Sequence, residues 1–477
     1  MLRILYREGK RSMTHHLHTS AQSGMGYALL LLTGAMFLVC CGSSAPKPAA
    51  PSTTTQASPV AVTRPSASQG TPAARERLKA GDALMRQKNA EAALAEYGAA
   101  IQLDPNYAQP YLNRGRALLQ LKQFDRGLAD LSKALELNPS DPYVFYNRGV
   151  VYQHILAQPQ KALEDYNQAL ELRPEFMEAA LNRGAIHALL GNHQAAAVDF
   201  GTALELNPKQ PKALFNRGVS HRQLGNYQAA RADFDAALAL TPNYIKAYLS
   251  RAHCHAATDD LDAAEADFQA ALLIEPKNSD IYLSRAKMYA KKGDHQTAIQ
   301  DYSLAIELDP QQTQLWFGRG NSHRAIIQDQ QAHSDYSRTI ELDPTFAAGY
   351  IARGLVNYRQ EKLDQALADY NHAAQLTPDD PSLYNNRGVV YMERQKYALA
   401  QTDFQRSIEL EAKNPNSHLN LARLQARQNQ LEASLPHLRN ALQLNPDLAA
   451  SIVTWQDFQV MGDNPAFRTL IAQFSQH

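Results

Sequence analysis

The chain is poor in residues that staple, chelate or anchor. Only three cysteines occur in 477 residues, Cys40, Cys41 and Cys254, which leaves no disulfide framework and no zinc-type cysteine spacing. Charge of one sign is missing too, because 47 Lys plus Arg offset 47 Asp plus Glu. That balance removes the basic footprint a nucleic-acid partner needs, so none is expected. Glycine-rich phosphate loops and nucleophile-elbow sequences do not occur. Every candidate acid or base falls inside a repeating frame, where packing or a solvated face accounts for it. No enzyme activity, cofactor or metal site is expected. The longest apolar stretch, residues 27–39, falls short of the ~20 residues a membrane-spanning helix wants.

What is present is a period. Pro105, Pro139, Pro174, Pro208, Pro242, Pro276, Pro310, Pro344 and Pro378 stand 34 residues apart, with one interval of 35. A fixed spacing of this size marks a repeat solenoid. In the unit ending at Pro242, small residues recur as Gly218, Ala230 and Ala237, with Phe234 large and apolar; the next unit gives Ala252, Ala264, Ala271 and Phe268. Small residues let two antiparallel helices approach, and large ones at helical spacing fill the seam. A proline after the second helix cannot continue it, so the chain turns into the next unit. One helix pair cannot cover its own apolar face, and each unit depends on its neighbours.

These places, with Tyr248 or Trp316 fourth and Gly225 or Gly293 in the turn, resemble the tetratricopeptide repeat (TPR) of 34 residues. The resemblance implies an all-α, right-handed TPR superhelical solenoid of about eleven helix–turn–helix repeats across residues 74–448. Its irregularities are local. The first unit carries Arg77 in the fourth place, the third has one extra residue around 155–159, and Ala412 replaces the proline of the tenth.

Nine consecutive units carry arginine seventh and aspartate twenty-third, from Arg114 and Asp130 through Arg217 and Asp233 to Arg387 and Asp403. The last unit has Leu421 and His437 there, so both charges vanish together. An ion pair between the two helices of each unit is expected, with pairing to the next unit's arginine as the competing geometry.

In TPR solenoids the first helices line the concave face, and places 2, 5, 6, 9, 12 and 13 point into it. The sixth place reads Asn113, Asn147, Asn182, Asn216, then Ser250, Ser284, Gly318 and Ala352, then Asn386 and Asn420. This row resembles the asparagine ladder of O-linked N-acetylglucosamine transferases, where amides grip the backbone of an extended peptide. An amide offers donor and acceptor together and so reads any peptide unit. The resemblance makes Asn113, Asn147, Asn182, Asn216, Asn386 and Asn420 candidate peptide-binding residues; local bonding of the asparagines is the alternative. The fifth-place row, Leu112, Tyr146, Leu181, Phe215 and Leu249, is expected to make part of the groove apolar. The lysine and asparagine of the chaperone-tail carboxylate clamp are absent. His187, His221, His255 and His323 share the eleventh place with Tyr152, Tyr289 and Tyr391, which favours an aromatic spacer over a metal site.

The two ends add context. Arg3, Arg7, Lys10 and Arg11 precede the apolar stretch, and Leu38-Val39-Cys40-Cys41 resembles a bacterial lipoprotein signal. The resemblance implies a signal peptide over residues 1–40 and lipid attachment, including palmitate, at Cys41. Cys40 is the alternative attachment residue, Met13 and Met25 are alternative starts, and an uncleaved anchor is the other reading. Residues 41–73, rich in Ala, Pro, Ser and Thr, read as a tether that cannot form a core. Residues 449–477, with Trp455, Phe458, Met461, Phe467, Leu470 and Ile471, read as C-terminal capping helices. Together these features point to a non-enzymatic protein–protein interaction scaffold, lipid-anchored in the bacterial cell envelope on its periplasmic side. It would bind extended polypeptide or partner proteins in the assembly of an envelope complex. The alternative is a periplasmic receptor for a small ligand or glycan.

Overall fold

The computed structural model describes residues 68–474, all helix, turn and loop. Cys41, the signal-type segment and nearly all of the tether lie outside the described residues. The first repeat opens at Pro72, two residues before the expected boundary, in the helix Pro72–Arg86 capped by Thr71. From Ala108–Gln120 onward every first helix has 13 residues and every second helix 14, as in Pro211–Gln223 and Tyr227–Leu240. The extra residue of the third repeat sits between the helices Pro142–His154 and Pro159–Leu172. Among the described residues no helix is long and apolar enough to cross a membrane.

The frame packs as its residue sizes dictate. Phe234 is fully buried, and a Cβ on Gly218 would lie 2.7 Å from its ring, so only a hydrogen fits there. Gly388 and Phe404 repeat the arrangement at 2.6 Å. Filling that space with an aromatic ring stabilises each pair by up to about 3 kcal/mol, and truncating Phe234 to alanine removes it at a cost of about 3–5 kcal/mol.

Each turn between the paired helices needs one residue with positive φ. Gly191, Gly225 and Gly293 supply it in three repeats, at φ 79°, 78° and 87°. Elsewhere side-chain-bearing residues take the strain, among them Ile327 at φ 61°.

The chain forms two compact units, one ending at Ile274 and the other beginning at Glu275. The first holds repeats one to six and the second repeats seven to eleven. In each, a repeat's two helices pack on each other, the second helix packs on the next repeat's first, and neighbouring first helices also touch. Neighbouring second helices do not approach as closely, so the first helices form the inner wall of each unit. After Leu431–Leu444 come three shorter helices, Leu448–Ile452, Gln456–Gln459 and Pro465–Phe474.

Candidate functional site: the first-helix wall

The ion pairs run inside each repeat. Arg217 Nε donates to Asp233 Oδ2 at 2.9 Å and Nη2 to Oδ1 at 2.6 Å. Arg387 and Asp403 do the same at 2.8 and 2.7 Å. All nine arginine–aspartate pairs are formed this way, in the two-pronged geometry that strengthens a charged hydrogen bond. The aspartate does not pair with the next repeat's arginine. Instead the guanidinium's third nitrogen crosses the seam backward: Arg183 Nη1 reaches Asn167 at 3.0 Å, Arg319 reaches Ser303 at 3.0 Å and Arg387 reaches Asn371 at 2.9 Å. The fourth-place ring stacks beside the same guanidinium, 5.0 Å away for Trp316 and 5.4 Å for Tyr384. Hydrogen bonding to Asp233 holds Arg217 above its usual pKa, while burial raises that of Asp165 beside Arg148. One side chain thus joins a repeat's own helices and ties them to the preceding repeat.

The asparagines differ in what they have left to offer. Asn113 donates to Asp82 at 2.7 Å and accepts from Gln109 at 3.1 Å. Asn147 donates to the Tyr143 carbonyl at 2.6 Å, and Asn182 to the Tyr166 hydroxyl at 3.3 Å. Asn420 is 5% exposed, donates to Asn385 at 2.9 Å and accepts from Arg423 at 3.0 Å. Asn216 and Asn386 are half-buried and make no side-chain hydrogen bond to other described residues. For Asn113, Asn182 and Asn216 the difference follows the twenty-fourth residue of the preceding repeat, whereas Asn386 stays uncommitted although Tyr370 stands at that place before it. Tyr166 sends its hydroxyl through to Asn182, and Tyr97 shares Asp82 Oδ1 with Asn113. Phe200, which precedes Asn216, has no hydroxyl to send.

Stretches of this chain match models of the tetratricopeptide repeat at residues 81–122, 115–154 and 354–393, at 156–208 and 385–449, and at 211–244, 245–278 and 279–312. The chain belongs to the TPR family. The eighth TPR, residues 313–346, falls outside these stretches, although it folds as the same helix pair. No curated protein matches the chain in sequence. Among solved structures, yeast Tom70 is 16% identical over 84% of this chain and 99% of its own, with a TM-score of 0.44. A TPR protein from Parabacteroides merdae is 21% identical over 53% and 99%, with a TM-score of 0.37. YrrB, described as a TPR protein with an unusual peptide-binding site, is 23% identical over 39% and 95%, with a TM-score of 0.34.

The fifth-place residues are less available than their pattern implies. Leu112 and Phe215 are buried, and Phe215 packs against Phe234 and Tyr244 of its own TPR at ring distances of 5.8 and 5.0 Å. Tyr146 packs likewise on Phe176 at 4.9 Å. In the third and fifth TPRs the ring that closes the repeat, Phe176 or Tyr244, takes the surface that the periodicity assigned to a guest.

The last TPR is covered on its inner face as well. Residues 417–426 are buried without a break, because the short helix Gln456–Gln459 lies on Pro415–Arg427. Asp457 accepts from Arg423 at 2.7 Å and from Arg427 at 2.5 Å, and Trp455 sits 5.3 Å from the Arg423 guanidinium. Burial alone would raise the Asp457 pKa, but the two guanidiniums hold it below the usual value. The tail therefore seats on groove positions Arg423 and Arg427, with Asn420 buried beside Arg423, and the open wall ends at the tenth TPR.

The eleventh-place histidines are partly buried spacers. His187 Nδ1 has no partner, and burial keeps its pKa below the usual value. Among the described residues no group of three or more metal-ligating side chains comes together. Cys254 is buried, with its thiol pushed up to about 11 by desolvation.

Proposed function

We propose that the chain is a non-enzymatic scaffold that captures extended polypeptide along its first-helix walls, as TPR arrays bind proteins or peptides. The observation that carries this reading is the uncommitted amide of Asn216 in one unit and of Asn386 in the other, each on its own unit's first-helix wall where a peptide backbone could use donor and acceptor together. Asn182 joins them if a guest outcompetes its long bond to Tyr166. Asn113, Asn147 and Asn420 contribute less, since their amides already serve the fold.

Lipid attachment at Cys41, a tether over residues 41–73 and residence in the bacterial envelope belong to the same proposal. They would hold the array at a membrane while letting it reach a partner complex under assembly. A photoreactive residue at position 216 is expected to yield protein adducts in cells well above those from position 229, on an exposed second-helix face. Equal yields from the two positions would overturn the groove reading. Cys41→Ser is expected to abolish labelling by a palmitate analogue, and labelling that persists would move the attachment to Cys40 or remove it.

A further inference from the structure

The inner wall of the second unit changes character over repeats seven to nine. Where repeats two to five, ten and eleven carry asparagine in the sixth place, these have Ser284, Gly318 and Ala352, and a Cβ on Gly318 would meet the Tyr302 ring at 2.5 Å. Cations take over at the neighbouring groove places: Lys287 ninth, Arg324 twelfth, and Lys291 and Arg359 thirteenth.

Few carboxylates answer them. Arg359 has Asp329 at 3.1 Å. Arg324 spends Nε on the Tyr336 hydroxyl at 3.1 Å, and no carboxylate contact is made by its terminal nitrogens among the described residues. Lys287 reaches only a neutral partner, Gln314 Oε1 at 3.4 Å. It is exposed at the surface, yet surrounding atoms crowd its ammonium and hold its pKa below the usual lysine value, with Asp280 partly offsetting them. Lys291 is exposed and has no ion pair within the described residues. Of the nearby acids, Asp294 caps its own helix through Thr297, and Asp280 accepts from Gln312 at 3.3 Å. An amide is interleaved with these cations, Asn321, which accepts from Tyr336 at 2.8 Å, and the uncommitted Asn386 follows them in repeat ten.

We propose that the first-helix wall of repeats seven to nine takes an acidic stretch of extended polypeptide, with Lys287, Lys291 and Arg324 receiving its carboxylates. The proposal rests on the groove reading above and names the chemistry of the guest. Excess positive charge on a concave surface draws and orients an anionic chain. Packed helices stand roughly 8–10 Å apart. A chain in polyproline geometry advances about 9 Å per turn of three residues. An acidic residue at every third place therefore meets one repeat's cations after another.

The test uses fluorescent peptides of about a dozen residues, matched to that spacing, with Glu or Gln at every third place. Binding to the full chain is read by anisotropy. The Glu peptide is expected to bind about tenfold more tightly at low salt, with the gap closing as salt rises. Lys287→Gln combined with Arg324→Gln should erase the gap, and Arg324→Lys should largely restore it, which separates charge from lost packing on Tyr336. Equal binding of Glu and Gln peptides to the native chain would overturn the acidic preference while leaving the groove reading intact. A gap that survives in the double variant would overturn the assignment to this wall. Binding of neither peptide would overturn the groove reading together with this proposal.

Discussion

Repeats ten and eleven share one frame and differ in what covers them. In repeat ten, Arg387 and Asp403 keep 17% and 6% of their side-chain surfaces exposed. The corresponding residues of repeat eleven are Leu421, 1% exposed, and His437, whose Nδ1 faces His418 Nδ1 at 3.3 Å. A guanidinium with one edge in solvent loses little hydration, so a paired carboxylate holds it well. In repeat eleven Leu421 fills the place by packing with Met392, Phe404 and Leu424, and a guanidinium there would displace that apolar contact. The ladder is thus a device for a seam with one wet edge, and it ends where an apolar side chain fills the arginine's place.

The comparison can be broken at several strengths. Phe458 is 1% exposed in the core the tail shares with repeat eleven. Phe458→Ala should cost about 3–5 kcal/mol. Hydrogen exchange should show the loss over residues 415–474, with residues 381–410 still protected. Next comes Asp403→Ala, which strands a partly buried guanidinium and should cost about 3 kcal/mol in urea melts. A cycle with Arg387→Ala should return a coupling of at least about 1 kcal/mol; additive effects would mean that the pair is ornamental. Grafting the pair onto repeat eleven by Leu421→Arg with His437→Asp should destabilise it by about 2 kcal/mol. A neutral graft would show that the apolar contact of Leu421 does not decide the choice.

Acid supplies the mildest perturbation. Burial, and then His418, lower the His437 pKa below 6.5. A histidine with a lowered folded-state pKa contributes its full stability above the unfolded value and loses it as pH falls from there through the folded value. Between about pH 7 and pH 5, exchange corrected for intrinsic rate should quicken in residues 415–444 more than in 381–410. Equal change in both would sink the distinction.

Much of this was legible because the frame is written in residue size. Gly218 beside Phe234, the extra residue before Pro159 and the joint loss of Arg and Asp at the end each translate one residue into one contact. The wall was less legible, for a physical reason. Whether an asparagine is free depends on contacts made from other helices: Tyr166 engages Asn182 where Phe200 leaves Asn216 alone, and Tyr370 still does not engage Asn386. The fifth-place row misled because Tyr244 and Phe176 fold back over it. A periodic pattern says which residues share a face; it does not say which neighbour arrives there first.

The turns hold one more consequence. Eight of the positive-φ residues between paired helices carry a side chain, and Ile327 bears a branched one that such a backbone tolerates poorly. Replacing it with glycine should relieve about 1 kcal/mol. Each of these turns joins the two helices of a single repeat. The array can therefore be made stiffer or looser joint by joint, one residue at a time, with its mechanical compliance set repeat by repeat.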